Sequence, residues 1–549
     1  MGDNMKKKLL ILLNLLFFTP FVINAEGLKM ESQKSFGGSL SDQFNSIIST
    51  EDSKFVSVGY TRSRDIDGIE GKGEFAHEAI IIKYDNDGNI LWKNAWGGDE
   101  MDYFYDVIQQ KSGEFVVVGN STSSDIEGLP NMYGGDGDAI IIKYDKNGNL
   151  LWQKSWGGKL ISARFRSITS SLDDGIVVVG SSEFSEIEGM TNKGMYDAII
   201  VKYDKDGNIL WQKNWGGNGY DDFTGVISTE DGGFIIVGES ESNDIEGLQN
   251  KGSYDAIVLK YDKDGNLIWQ KSWGGNDSER FTSVAVTEDG GFVAVGNTQF
   301  LVYEGDSRLD AIIVKYNKDG NVLWQKSYGN ELNEFYESVV EIDDYGFVVV
   351  GYINSSLIDS KPATDKDDAI IIKYDKDGNM LWEKSWGGSD YDEFRKVIST
   401  QDGKIIASGY SHSTDIDGLT NKGEKDAIIV KYSIEYNLEN ITTENGTSAV
   451  EQKGKYGIVT PTPNEGYEVD KIIVKDKDGN VLDVETTKQE DGTYSFDLYT
   501  DVSVEVLFKE KIENPKTGIM DFITIIFIGF AISISGFFIV KRYNERLEF

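Results

Sequence analysis

One phrase, Asp-Ala-Ile-Ile-Val-Lys-Tyr-Asp-Lys-Asp-Gly-Asn-Ile-Leu-Trp-Gln-Lys-x-Trp-Gly-Gly, returns through most of this chain with little change. Its Lys-Tyr pair ends at Tyr84, Tyr144, Tyr203, Tyr261, Tyr316, Tyr374 and Tyr432, so the units lie 55 to 60 residues apart. A single unit of that size cannot bury its own apolar face, so a fixed period restricts the fold to a solenoid, a propeller or an array.

Each unit predicts four strands. In one unit the first is Thr224 to Thr229, ending at the turn Glu230-Asp231-Gly232-Gly233. The second is Phe234 to Val237, after which Gly238 leads out. The third, Ala256 to Tyr261, is a near-continuous apolar run, the pattern of a strand buried on both faces. The fourth is Leu267 to Ser272, reached through Asp262-Lys263-Asp264-Gly265-Asn266, where Gly265 supplies the positive φ of a short hairpin. Four antiparallel strands per unit, repeated, describe propeller blades.

The register of the ends points to a closed ring. The last unit stops at Tyr432 without a fourth strand, and Met30 to Gly38 matches one, as comparison with Leu210 to Gly217 shows. The N-terminal strand can therefore complete the last blade and leave no open edge. The expected fold is all-β: a seven-bladed β-propeller over 29–433, a small β module over 434–511 and a C-terminal hydrophobic helix. The units resemble bacterial seven-bladed propeller repeats of the Asp-Ala-x-x-x-Lys-Tyr/Leu-Asp-x-x-Gly-Asn type. The short strands punctuated by Gly457, Pro461, Pro463, Gly466 and Asp478-Gly479-Asn480 resemble the small β-repeat modules of internalins and related surface proteins, which implies a spacer.

The two ends address the chain. Lys6 to Lys8, an apolar run from Leu9 and a small residue at Ala25 read as a secretory signal over 1–25. Asn514-Pro515-Lys516-Thr517-Gly518 precedes an apolar run, Phe522 to Val540, long enough to span a bilayer, and then Lys541, Arg542 and Arg546. This order, over 512–549, resembles the sortase sorting signal of Gram-positive surface proteins, with Asn514 where the usual form has Leu. The resemblance implies cleavage between Thr517 and Gly518, and a covalent link from Thr517 to peptidoglycan. The expected partners are a sortase, peptidoglycan and a host or surface protein or glycan. The expected location is secreted, anchored to the cell wall and facing outward.

Composition narrows the chemistry. A formal net charge of -38 excludes nucleic acid as a partner, because phosphate binders carry basic stripes. With no Cys and only His77 and His412, thiol catalysis, a His-based triad and a multi-His metal site fall away. No catalytic constellation stands out, so a binding protein, an adhesin, is expected rather than an enzyme. An extracellular glycan-active hydrolase and a structural coat component are the alternatives, since a glycosidase needs only two carboxylates in a cleft.

No cofactor is expected. The Asp204, Asp206 and Asn208 loop reads as a turn, with calcium as the alternative. The recurrent Trp-Gly-Gly tryptophans read as packing between blades rather than sugar platforms. The Asp opening each third strand, such as Asp197, with Glu78 in its place in the first unit, reads as a structural cap. A second loop, Asp244-Ile245-Glu246-Gly247 and its counterparts, recurs in five units and breaks in the fifth and sixth. Repeat proteins carry binding where repeats diverge. The expected ligand sector is therefore Phe300, Leu301, Val302 and Tyr303, with Arg308 nearby, a less charged patch on an acidic rim.

Overall fold

The computed structural model describes residues 27–69, 76–129, 137–157, 162–183, 186–187, 190–301, 307–329, 333–342, 346–354 and 366–512. The expected signal segment, the sorting motif Asn514 to Gly518 and the hydrophobic span with its expected helix lie outside the described residues. Among those described, no helix is long and apolar enough to cross a membrane. The chain forms two compact units, Met1–Tyr436 and Asn437–Phe549.

The first unit is built of four-stranded antiparallel blades. In the fourth repeat these strands are Asp221–Ser228, Phe234–Ser240, Asp255–Tyr261 and Leu267–Trp273, paired in that order. Seven such sheets occur among the described residues of this unit. In one of them Asp392–Ser399, Ile405–Ser411 and Asp426–Ile434 are joined by Leu28–Phe36 from the start of the chain. The third strand is buried along its whole length, as at Asp255–Tyr261, because blades cover both of its faces. The fourth strand is the outer one, and Leu267 and Ile268 are exposed at its start.

Strands one and two begin and end differently from the pattern expected of them. The first strand starts at Asp221 rather than Thr224, and Gly238 lies inside the second strand rather than at its exit. The cause is a bulge. Phe223 pairs with Gly238 and Gly225 with Val237, which leaves Thr224 without a partner in the ladder. A Cβ on Gly238 would stand 2.0 Å from the Asp222 carbonyl oxygen, so only glycine admits this approach. The other six blades have the same bulge, at residues 45, 105, 166, 282, 337 and 395.

Blades are locked to one another at two levels. The Trp215 indole N–H donates to Gln270 Oε1 of the next blade at 2.7 Å, and Trp386 donates to Gln33 Oε1 on the N-terminal strand at 2.9 Å. These tryptophans are buried and serve packing. Beneath them a buried aspartate opens most first strands. Asp221 Oδ2 accepts from the Gly217 N–H at 2.9 Å and from Ser242 Oγ at 2.7 Å, while Ser240 Oγ donates to Oδ1. The Asp221 N–H donates to the Tyr196 carbonyl of the preceding blade at 2.9 Å. The same bond joins the Asp42 N–H to the Lys425 carbonyl, linking the sheet that holds both chain ends of this unit to the first repeat.

At these junctions the aspartate of the third strand approaches that of the next first strand. A Cβ on Gly37 would meet Asp426 Oδ1 at 2.4 Å and Asp42 Oδ2 at 2.8 Å; on Gly387 it would meet Asp392 Oδ2 at 2.5 Å and Asp368 Oδ1 at 2.7 Å. Asp426 also accepts the Lys422 N–H at 3.3 Å, so it does cap the preceding loop.

The second unit holds a three-stranded sheet in which Tyr467–Asp476 and Leu438–Ile441 flank Val502–Glu510, and a four-stranded one that includes Gly446–Lys453 and Tyr456–Pro463. Val459, Phe496, Val504 and Val506 form its buried centre.

Two outcomes are expected. Gly238→Ala should destabilise the protein by about 2–3 kcal/mol or more through the carbonyl clash, as overpacking does. Gly247→Ala, at φ 80° with nothing within 4 Å, should cost only about 1 kcal/mol of backbone strain, read by chemical denaturation. The second concerns pH. Burial pushes Asp392 and Asp426 up to about 6, reinforced by the adjoining Asp368 and Asp42. Their folded values exceed the unfolded one, so the stability they contribute is complete in acid and is lost as pH rises through about 6. Against burial, Lys202 and Ser171 hold Asp173 at about 2, so its contribution is lost only in stronger acid. Denaturation midpoints should therefore rise as pH falls from 8 to 5, and Asp426→Asn should flatten that rise without loss at pH 8.

Candidate functional site

The unpaired residue of each bulge faces an axial cavity of about 530 Å³, lined by the first strands of all seven blades. The aromatic residue just before each bulge hardly changes from repeat to repeat, Phe in six blades and Tyr336 in the other. The bulge residues do: Asn45, Tyr105, Arg166, Thr224, Thr282, Glu337 and Arg395. Some of them serve the fold. Asn45, Thr224 and Thr282 donate to the carbonyls of Phe104, Phe281 and Tyr336 in the next blade, at 2.8, 2.6 and 2.7 Å. Where the bulge carries Arg or Glu, ionic contacts replace that bond.

One cluster spans the third to fifth blades. Arg164 Nη2 and Arg166 Nε both donate to Asp222 Oδ2 at 3.0 Å. Arg164 also donates to the Tyr220 hydroxyl and, at 3.2 Å, to Ser181 Oγ. Asp222 is fully buried, and its other oxygen has no hydrogen-bond partner. Arg280 Nε donates to Asn297 Oδ1 at 2.9 Å, and Glu239 stands among these arginines. Burial pushes the Glu239 carboxyl up, against the pull of Arg280.

A second cluster spans the sixth, seventh and first blades. Arg395 donates to Glu337 at 2.9 Å, pairs with Glu393 at 2.7 Å, and lies 5.6 Å above the Tyr410 ring. Lys425 Nζ stands 3.9 Å above the same ring and 5.6 Å from Tyr60, and donates to Gln43 Oε1 at 2.7 Å. Tyr60 stacks on His77 at 5.1 Å, with Tyr103 edge-on to both. Burial, helped by Arg62 and Lys425, pushes His77 down to about 4, so this imidazole is neutral at physiological pH. Burial and the Arg395 charge likewise bring Lys425 down to about 8.

Electrostatically the cavity departs from the rest of the chain. Its lining holds Arg166, Arg280, Arg395 and Lys396 against Asp106, Glu239 and Glu337, four cations to three anions, in a chain of net charge -38.

None of these residues was singled out from the sequence. Arginine looks sparse along the chain, and apart from Arg164 and Arg166 the arginines of the two clusters lie more than a hundred residues apart in sequence. A signal exists nonetheless: with the repeats aligned on the aromatic residue of the first strand, the positions on either side of it are variable. The expected sector is placed differently. Phe300 and Leu301 end an extended second strand, Phe292–Leu301, and pair with Arg308 and Ser307 of the third, Ser307–Tyr316. The stretch read as a divergent loop is thus in part a lengthened hairpin. Arg308 pairs with Asp310 at 3.2 Å, while Val302 and Tyr303 lie outside the described residues. In the Asp204 loop, Oδ1 accepts from the Asp206 and Asn208 N–H groups at 2.9 and 2.8 Å, and Oδ2 from Asn208 Nδ2 at 2.9 Å. The turn itself engages that carboxylate.

The Lys425 ammonium reports directly on this site. Its titration midpoint, followed by NMR of the ε-methylene, should lie near 8. Arg395→Gln should raise the midpoint by removing a repelling charge, and Glu393→Gln should lower it by removing an attracting one.

A family profile described as "Outer membrane protein assembly factor BamB" matches residues 254–455. The regulatory protein FlaEY of Caulobacter vibrioides is 25% identical over 182 residues, which cover 30% of this chain and 19% of that protein. An uncharacterized WD repeat-containing protein of Acanthamoeba polyphaga mimivirus is 18% identical over 467 residues, covering 65% of this chain and 33% of that one. The chain thus spans a third or less of the length of these relatives. Among solved structures, Sqt1 from Chaetomium thermophilum is 13% identical at a TM-score of 0.39, covering 79% of this chain and 97% of that one. YCF48 bound to D1 peptide is 12% identical at a TM-score of 0.41, covering 76% of this chain and 99% of that one. The matched proteins are described as an assembly factor, a regulatory protein and a WD repeat protein, and this chain is a β-propeller repeat protein.

Proposed function

We propose that this chain is an adhesin of a Gram-positive cell wall: a displayed seven-bladed propeller, closed by its N-terminal strand, that binds a host or surface ligand at the axial cavity. The observation that carries the binding role is the contrast within each first strand. A recurring frame of an aromatic residue, bulge and facing glycine holds a side chain that differs from blade to blade, among them Tyr105, Arg166, Glu337 and Arg395. A ring that needed only to close would do so with the Asn and Thr side chains found at residues 45, 224 and 282, which bond the neighbouring backbone. Charged groups set into a partly buried cavity cost desolvation and are placed more usefully for recognition than for stability.

The display role rests on the ends of the chain. Pro515-Lys516-Thr517-Gly518 before an apolar span and a basic tail supports attachment to peptidoglycan through Thr517, and Lys6 to Ala25 supports export. In this reading the unit after Tyr436 is the internalin-type spacer that lifts the propeller from the wall. Thr517→Ala should abolish the glycan-linked species that muramidase digestion releases, leaving the protein in the membrane or medium. Bacteria carrying that variant should lose adhesion to the surfaces that wild-type cells bind. Equal release of glycan-linked protein from both strains would refute anchoring by this motif.

A further inference from the structure

Two guanidinium groups at the axial cavity are held by the protein on one side only. Arg166 is fastened through Nε to Asp222 at 3.0 Å, and Arg280 through Nε to Asn297 at 2.9 Å. Their terminal amino groups make no protein hydrogen bond among the described residues, and both side chains line the cavity. An arginine fixed through Nε presents its remaining donors as a rigid fork, which fits the two oxygens of a planar carboxylate. Arg164, by contrast, is engaged through both Nε, by Ser181, and Nη2, by Tyr220 and Asp222.

The surrounding wall defines what that carboxylate is attached to. Glu239 lines the cavity beside these arginines as a hydrogen-bond acceptor, and Thr224 and Ser283 add hydroxyl groups. Apolar residues share this wall, Val226, Ile227 and Val284 among them. A ring bearing several hydroxyls and one carboxylate matches the set: forks for the acid, Glu239 and the hydroxyls for the ring.

We propose that the axial cavity between the third and fifth blades binds an acidic sugar, a uronic acid unit whose carboxylate is held by Arg166 and Arg280 and whose hydroxyls are read by Glu239. The inference rests on the adhesin reading for its biological setting and names the ligand class of the same cavity. Neutral sugars lack the group that the forks require, and small carboxylates lack the ring that Glu239 reads. The anionic ligand is drawn in by a local excess of cations within an otherwise acidic surface, so its affinity should fall as salt is raised.

Calorimetric titration of the purified full-length protein with D-glucuronate, D-glucose and acetate tests this. Glucuronate should bind, with glucose and acetate at least tenfold weaker. Arg280→Gln, which retains a donor for Asn297, should weaken glucuronate at least tenfold with an unchanged melting temperature; Arg308→Gln, outside the cavity, should leave binding unchanged. Should Arg166 variants fail to fold, Glu239→Gln supplies the second arm and should narrow the gap between glucuronate and acetate. No glucuronate binding by folded wild type, equal binding of glucose or acetate, or unchanged binding in Arg280→Gln would overturn the proposal. Wall-linked protein that binds no uronate would end this inference alone. Uronate binding by a protein never found on the wall would instead end the anchoring reading.

Discussion

A carbonyl oxygen occupies the place where the second strand of each blade would otherwise carry a side chain. At Gly238 a Cβ would lie 2.0 Å from the Asp222 oxygen, and at Gly59, Gly119, Gly180, Gly296, Gly351 and Gly409 the distance to the equivalent oxygen is 1.8 to 2.0 Å. This contact allows the first strand to bulge, and the bulge turns one side chain per blade toward the axis. The cavity lining therefore follows from a backbone contact between strands one and two, repeated around the unit. Replacing the bulge residue changes the lining and leaves the strand pairing intact, because that residue has no partner in the ladder.

Around this frame, the junctions between blades separate two kinds of polar burial. The indole–amide bonds, Trp215 to Gln270 and Trp386 to Gln33, satisfy a large buried ring at its one polar atom. The aspartates beneath them are a different case. Asp42 is charged only at a desolvation cost, which Thr61, Ser63 and the Gly38 N–H offset in part. The approach of Asp426 to Asp42 adds repulsion that a shared proton would relieve. A surface of net charge -38 thus coexists with acids that resist ionisation inside the junctions and with a cavity where cations slightly outnumber anions.

Much of this architecture is legible in the chain because its physics is local. The apolar run Ala256 to Tyr261 can only be a strand covered on both faces, and Asp262 to Asn266 can only turn tightly, as its carboxylate–backbone bonds show. The recurrence of Trp-Gly-Gly signalled packing, since an aromatic at this position in every unit, Trp in five and Phe36 or Tyr328 in two, serves what every unit shares. The reading failed where local pattern and three-dimensional role separate. Gly238 followed an apolar run and resembled an exit from the strand, but its lack of a side chain is needed within the ladder. Phe300 to Leu301 resembled a loop because it broke the repeat, yet it extends a hairpin through pairing with Ser307 and Arg308.

The sequence by itself determined the period, the four strands of each unit, the buried third strand, the turns, and a first strand at the N-terminus that matches a missing fourth. These follow from the alternation of apolar and turn residues over a few positions, which any short segment carries with it. Only the tertiary structure decided where the charges meet. Arg166, Arg280 and Arg395 are more than a hundred residues apart in order, and each is unremarked within its own repeat. They face one cavity because Arg166 and Arg395 occupy bulges and Arg280 stands two residues before one, and the first strands of successive blades converge. Strand propensity says nothing about which unpaired residue points at the axis; the close approach of a glycine to a carbonyl, formed only when two strands pair, settles it.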